Sequence, residues 1–142
     1  MIGRKGDKKI RYKKGYKYQL DETYNIQYPL YPKKNISTEW ITLTTEGWLT
    51  IRRGYAWDGA SGPTYDSASS MRGSLEHDAI YQLIRLGLLS RGCKAIADLQ
   101  LHDTCTEDGM IPVRADIWEA GVHVFGGASI DSSSEPEILE AP

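Results

Sequence analysis

Ser74-Leu75-Glu76-His77-Asp78-Ala79-Ile80-Tyr81-Gln82-Leu83 is where the chain changes its period. Leu75, Ala79, Ile80, Leu83 and Ile84 recur three and four residues apart until Gly87, the spacing that gives a helix one apolar face. Upstream the rhythm is two. Trp40-Ile41-Thr42-Leu43-Thr44 and Trp48-Leu49-Thr50-Ile51-Arg52 alternate on either side of Thr45-Glu46-Gly47, which is a hairpin signature. Tyr16-Lys17-Tyr18-Gln19-Leu20 and Tyr24-Asn25-Ile26-Gln27-Tyr28 are further strand-like runs, split by a turn signal at Asp21-Glu22. Pro29 and Pro32 then interrupt pairing. Gly54-Tyr55-Ala56-Trp57 adds one more short strand before a turn at Asp58-Gly59.

Downstream the helical period continues. Ser90 is placed to cap a second helix with Cys93, Ile96, Ala97, Leu101 and Cys105 on one face, stopping near Gly109. Pro112 suits the start of a third, with Val113, Ile117, Ala120, Gly121 and Val124 inward and Gly126-Gly127 at its end. Each helix is marginal alone, so the three must pack on one another or on the sheet. The fold class is α+β: an N-terminal antiparallel β-sheet followed by a three-helix region containing an antiparallel helical hairpin. Residues 1–127 read as a single domain with a basic N-terminal arm over 1–15. Residues 128–142 form an acidic, serine-rich tail, expected to be disordered.

The 142 residues suffice for one domain with a real core. A formal net charge of −2 argues against a general nucleic-acid coat, but the charge is uneven. Arg4, Lys5, Lys8, Lys9, Arg11, Lys13, Lys14 and Lys17 face a single Asp7 in the first twenty positions. Such a run suits phosphate or an acidic surface, and equally an edge strand that uses lysine to resist aggregation. Cys93 and Cys105 are too few for a disulfide framework or a four-thiolate zinc site and read as small core residues. No apolar run reaches membrane-spanning length, and no signal peptide follows Met1.

His77 and Tyr81, four apart, share a face of the first helix, with Asp78 about 100° round. Asp98 and His102 are four apart on the second. The short connection at Gly87 to Ser90 makes the two helices antiparallel neighbours, so His77 is expected to face His102, with Asp98 about one turn nearer the bend. His77, Asp78, Asp98 and His102 then make a candidate ligand set for one divalent metal, zinc or similar. Such a metal would turn a bound water into a nucleophile, with a spare carboxylate as general base. Asp58 offers a further carboxylate, and Ser61 and Thr64 offer hydroxyls. A structural alternative stands beside this one. Asp78 complements the helix dipole, and Asp98 pairs with Arg72, Arg85 or Arg91 as a buried brace. Neither helix has the H-E-x-x-H spacing, and Gly59-Ala60-Ser61-Gly62 is not a nucleophile elbow. Trp57 reads as a core anchor, and His123 has no companion.

Trp57-Asp58-Gly59-Ala60-Ser61-x-Pro63, then His77-Asp78-x-x-Tyr81, then Ala97-Asp98 resemble the small phage and prophage proteins grouped as domain of unknown function 1353. The resemblance runs from about residue 54 to about 127 and takes in Trp118 and Val122-x-x-Phe125-Gly126. It implies a bacteriophage or prophage origin and brings no activity with it. Asp58, Ser61, His77, Asp78, Tyr81 and Asp98 are the site positions it matches. Gly62 departs from the bulky apolar residue expected before the proline, and His102 matches no family position.

Three functions stay open. The first is a metal-dependent hydrolase whose catalytic set is Asp58, Ser61, His77, Asp78, Tyr81 and Asp98. The second is a head or tail component of the virion, with the His-Asp cluster as a brace and other virion proteins as partners. The third is a phage factor that binds and inhibits a host protein or a nucleotide signal. Nucleic acid is expected only at the basic arm, no membrane is expected, and the location is the host cytoplasm or the virion. A His77–Asp98 separation under about 5 Å beside an open cleft is what the first reading requires.

Overall fold

The alternating pattern around Gly47 forms the expected hairpin, Ile41–Leu43 (β5) with Trp48–Ile51 (β6), in a computed structural model that describes residues 3–15, 17–59, 67–117 and 119–120. Gly47 turns at φ +85°, and a Cβ there would lie 2.8 Å from both the Tyr28 carbonyl oxygen and the Tyr31 ring. Only glycine fits that bend. Tyr24–Gln27 (β3) pairs with the other side of β6, and Ile36–Ser37 (β4) with β5, giving the order β3-β6-β5-β4. The register puts Ile26, Ile41, Leu43, Leu49 and Ile51 on the buried face.

Tyr18–Leu20 (β2) does not pair with β3. It lies between Tyr12–Lys13 (β1) and Ala56–Trp57 (β7) in a second antiparallel sheet. The turn signal at Asp21-Glu22 therefore marks where the chain changes sheets. Leu20 fixes the change, because its N–H donates to Tyr55 O and its carbonyl accepts from Gly54 N, both at 2.8 Å. The expected strand at residues 54–57 is present as β7.

The basic N-terminal run behaves as an edge strand. Asp7 N donates to Asn25 O at 2.7 Å and Gln27 N to Lys5 O at 2.9 Å, so residues 5–7 add to the free edge of β3. Gly6 permits the approach, with φ +118°, where a Cβ would meet Asn25 O at 2.5 Å.

Ala68–Arg85 (α1) begins seven residues before Leu75, at a capping box made by Ser67 and Ser70. Its first two turns bury Ser70, Arg72, Gly73 and Ser74, which no apolar periodicity marks. Trp57 Nε1 donates to Ser74 Oγ at 3.1 Å and holds this end of α1 against β7. Cys93–Glu107 (α2) has Gly92 rather than Ser90 at its N-cap. Ser90 instead closes the preceding turn, its carbonyl accepting from Cys93 N. The two helices pack as an antiparallel hairpin and come close at Gly73, where a Cβ would lie 2.8 Å from Cys105 Sγ. Ile96 is on the outer flank of α2, while Ala97, Asp98, Leu101, Thr104 and Cys105 face inward.

Residues 112–117 and 119–120 are helical, and their packing differs from expectation. Val113, Ile117 and Ala120 are exposed, whereas Ala115 and Met110 are buried with Leu101 and Cys105. The expected positions Gly121, Val124 and Gly126-Gly127, the tail over 128–142, and Ser61, Thr64, Trp118 and His123 lie outside the described residues. Among the described residues no helix is long and apolar enough to cross a membrane.

Candidate functional site around His77 and Asp98

His77 and Tyr81 leave α1 on one face with ring centroids 3.9 Å apart, as their four-residue spacing requires. Asp98 meets them from α2. Its Oδ1 lies 2.8 Å from His77 Nε2 and accepts the Tyr81 hydroxyl, and its Oδ2 accepts Lys94 Nζ at 2.7 Å. The Asp98 side chain has no exposure. Burial alone would push its pKa up. Hydrogen bonds from His77, Lys94 and Tyr81 outweigh that and hold the carboxyl at about 2.

An ionised carboxylate only accepts, so the imidazole places its proton on Nε2. Nδ1 of His77 is left as a lone pair with no hydrogen-bond partner among the described residues. The side chain is 12% exposed. An imidazole fixed in one tautomer by a buried carboxylate, with its second nitrogen unengaged, is an arrangement for moving a proton.

Asp78 turns to the other flank, where the Tyr55 hydroxyl donates to its Oδ2. Burial raises the Asp78 carboxyl above the ordinary range, and the charge of Asp58 raises it further. Asp58 itself is exposed and pairs with Lys17 at 3.6 Å.

His102 does not face His77. It sits on the outer flank of α2, with Nε2 2.8 Å from Asp116 Oδ1 and Nδ1 3.2 Å from Asp103 Oδ1. Asp98 does not stand one turn away either; it touches His77 directly. Of the arginines expected to pair with Asp98, Arg72 goes instead to Asp108, at 2.8 and 3.0 Å.

The four predicted ligands therefore share no common point. His77 and Asp98 bond each other, both Asp98 oxygens are engaged, Asp78 is taken by Tyr55, and His102 stands elsewhere. This donor set does not fit a metal. His102, Asp116 and Glu119 do bring ligand atoms within 4.8 Å of one another, but Asp116 lies exposed and the group needs no ion to explain it.

A second polar cluster, beside the first on α1, has no counterpart in the sequence reading. Glu76 is 1% exposed, and its carboxylate accepts from Tyr24 Oη at 2.6 Å, Thr104 Oγ1 at 2.9 Å and Arg4 at 3.3 Å. Arg72 donates to the Tyr24 oxygen at 3.1 Å. Arg72 and Glu76, four apart on the face that also carries Ala79, Ile80 and Leu83, were the signal for it. Between the clusters the Tyr28 hydroxyl is buried without a hydrogen-bond partner among the described residues; burial raises its pKa, and the charges of Glu76 and Asp98 raise it further.

Two cavities of about 330 and 430 Å³ flank residues 8–10 and are lined by none of the predicted site residues, so the 2.8 Å His77–Asp98 contact meets the distance that hydrolysis requires while neither cavity supplies the open cleft. No family model, curated protein or solved structure matches the chain.

Proposed function

We propose that the chain is a small bacteriophage or prophage protein whose His77–Asp98 pair serves hydrolysis. His77 Nδ1 takes the proton of an attacking water, and Asp98 and Tyr81 hold the ring in place. The imidazolium so formed returns the proton to the leaving group, while Asp78 stays with Tyr55 on the other flank. The observation that carries this reading is the 2.8 Å contact of Nε2 with a fully buried carboxylate, with Nδ1 left over. No step runs through a metal, because the donor set does not converge. Phosphodiester, peptide and amide bonds all suit water activated this way. The Trp57-Asp58-Gly59-Ala60-Ser61, His77-Asp78 and Ala97-Asp98 motifs support the phage origin.

A second reading rests on its own observation. Asp98 is sealed from solvent and satisfied by three donors, which also describes a brace fastening α1 to α2 in a virion protein.

His77→Gln separates the two. For the hydrolase, wild type cleaves at least one of a set of chromogenic phosphodiester, peptide and amide substrates, and the variant is inactive at an unchanged melting temperature. Inactive wild type, a melting loss in the variant and recovery of the protein from purified virions select the brace. A stoichiometric metal, found by elemental analysis and lost with His77→Ala, would overturn the metal-free form.

A further inference from the structure

We infer, on the reading of His77 as a base, that Lys94 is its positioning residue: by sharing the Asp98 carboxylate, Lys94 reserves Nδ1 of His77 as a bare, proton-accepting nitrogen. Lys94 lies one helical turn before Asp98 on α2. Its Nζ meets Oδ2 of Asp98 at 2.7 Å, while His77 Nε2 meets Oδ1 at 2.8 Å. The Lys94 and His77 side chains are 19% and 12% exposed, and Asp98 between them is sealed.

Charge balance gives this sharing its consequence. A buried carboxylate has one negative charge to set against the groups beside it. With an ammonium on Oδ2 that charge is met, and an imidazolium on Oδ1 would be a second cation on the same carboxylate. His77 therefore keeps its neutral form and donates from Nε2. Without the ammonium, the carboxylate favours a doubly protonated ring, because imidazole is a stronger base than carboxylate and takes the proton first. An aspartate alone behind a histidine makes the ring hold its proton tightly. The lysine offsets that and leaves the tautomer fixed.

The other titratable neighbours do not put this charge on Asp98. Tyr81, from α1, donates to Oδ1 as a neutral phenol that burial holds above its ordinary range. Asp78 is taken by Tyr55 on the other flank, where burial raises its carboxyl, and Arg85 acts on that pair. Tyr28, just past β3, feels both Asp98 and Cys93, and neither Tyr28 nor Cys93 can carry a positive charge.

The test is nitrogen NMR across pH on histidine-labelled, full-length wild type, Lys94→Met, Lys94→Gln and Lys94→Arg. Glutamine keeps a donor for Oδ2 and removes the charge, so it serves where methionine loosens the hairpin. In both neutral variants the proton affinity of His77 Nδ1 is expected to rise about tenfold, which moves the ring titration up by about one pH unit. Lys94→Arg is expected to follow wild type. A titration unmoved in a folded neutral variant overturns the inference, as does arginine behaving like glutamine; Lys94 then only fastens the helix. Where wild type cleaves a substrate, the acid limb of its pH profile moves up by the same step in Lys94→Gln, because the base must be bare to act. A shifted ring in a protein that cleaves nothing removes the hydrolase and leaves the charge balance standing. Cleavage with an unshifted ring does the reverse.

Discussion

The Tyr24 hydroxyl donates to Oε2 of Glu76 at 2.6 Å, tying β3 to α1 across fifty-two positions of sequence, and its oxygen accepts from Arg72. Tyr24→Phe leaves a buried carboxylate short of one donor and Arg72 short of one acceptor. The expected cost is about 1–3 kcal/mol, read as a lower urea midpoint at unchanged slope. A midpoint equal to wild type would show that water replaces the phenol.

Asp98 makes stability depend on acid in a defined direction. Its folded pKa of about 2 lies below the unfolded value, so its contribution is complete above about pH 4 and is lost as pH falls through 2. That contribution is on the order of 2 kcal/mol. Asp98→Asn is expected to be less stable at neutral pH and to lose this stretch of the pH dependence. Urea melts at several pH values below 5, compared between the two proteins, check it.

Gly73 lies at a close approach of α1 and α2. A Cβ there would lie 2.8 Å from Cys105 Sγ and 3.1 Å from Leu101 Cδ1. Gly73→Ala gains helix propensity but must push the hairpin apart, and overpacking wins at about 1–3 kcal/mol. Thermal melting decides the sign; a stabilised variant would mean that α2 can shift freely.

His77 carries its proton on Nε2 while neutral, because Asp98 accepts there. Nitrogen NMR on histidine-labelled protein is expected to show a protonated Nε2 and an unprotonated Nδ1 for this residue. In Asp98→Ala the preference should weaken. A ring protonated on Nδ1 would remove the proposed base.

The fold class was legible because period alone separates the two halves, and the β5–β6 hairpin followed directly from alternation around Gly47. The assignment of strands to sheets was not. Nothing local to Asp21-Glu22 distinguishes a hairpin turn from a passage between sheets, since the choice rests on Leu20 bonding to residues 54 and 55. The start of α1 lies ahead of its apolar period for a similar reason: Ser70, Gly73 and Ser74 are buried by close packing, not by hydrophobicity. At the site, four-residue spacing placed His77 with Tyr81 correctly. It could not choose between Asp98 and His102 as the group opposite, because both are polar positions four apart on α2 and spacing does not say which of them faces inward with Ala97, Leu101 and Cys105. Arg4 was the hardest to see. A basic run looks alike whether its side chains all meet solvent or one of them enters the core.

The pocket for Arg4 sets an order on biosynthesis. Its walls come from β3, α1 and Thr104 near the end of α2, a hundred positions further along. A ribosome adding about 5–20 residues per second leaves that arginine waiting for several seconds before its berth exists. Throughout that interval only the main-chain bonds of residues 5–7 to β3 are available to hold the segment in place.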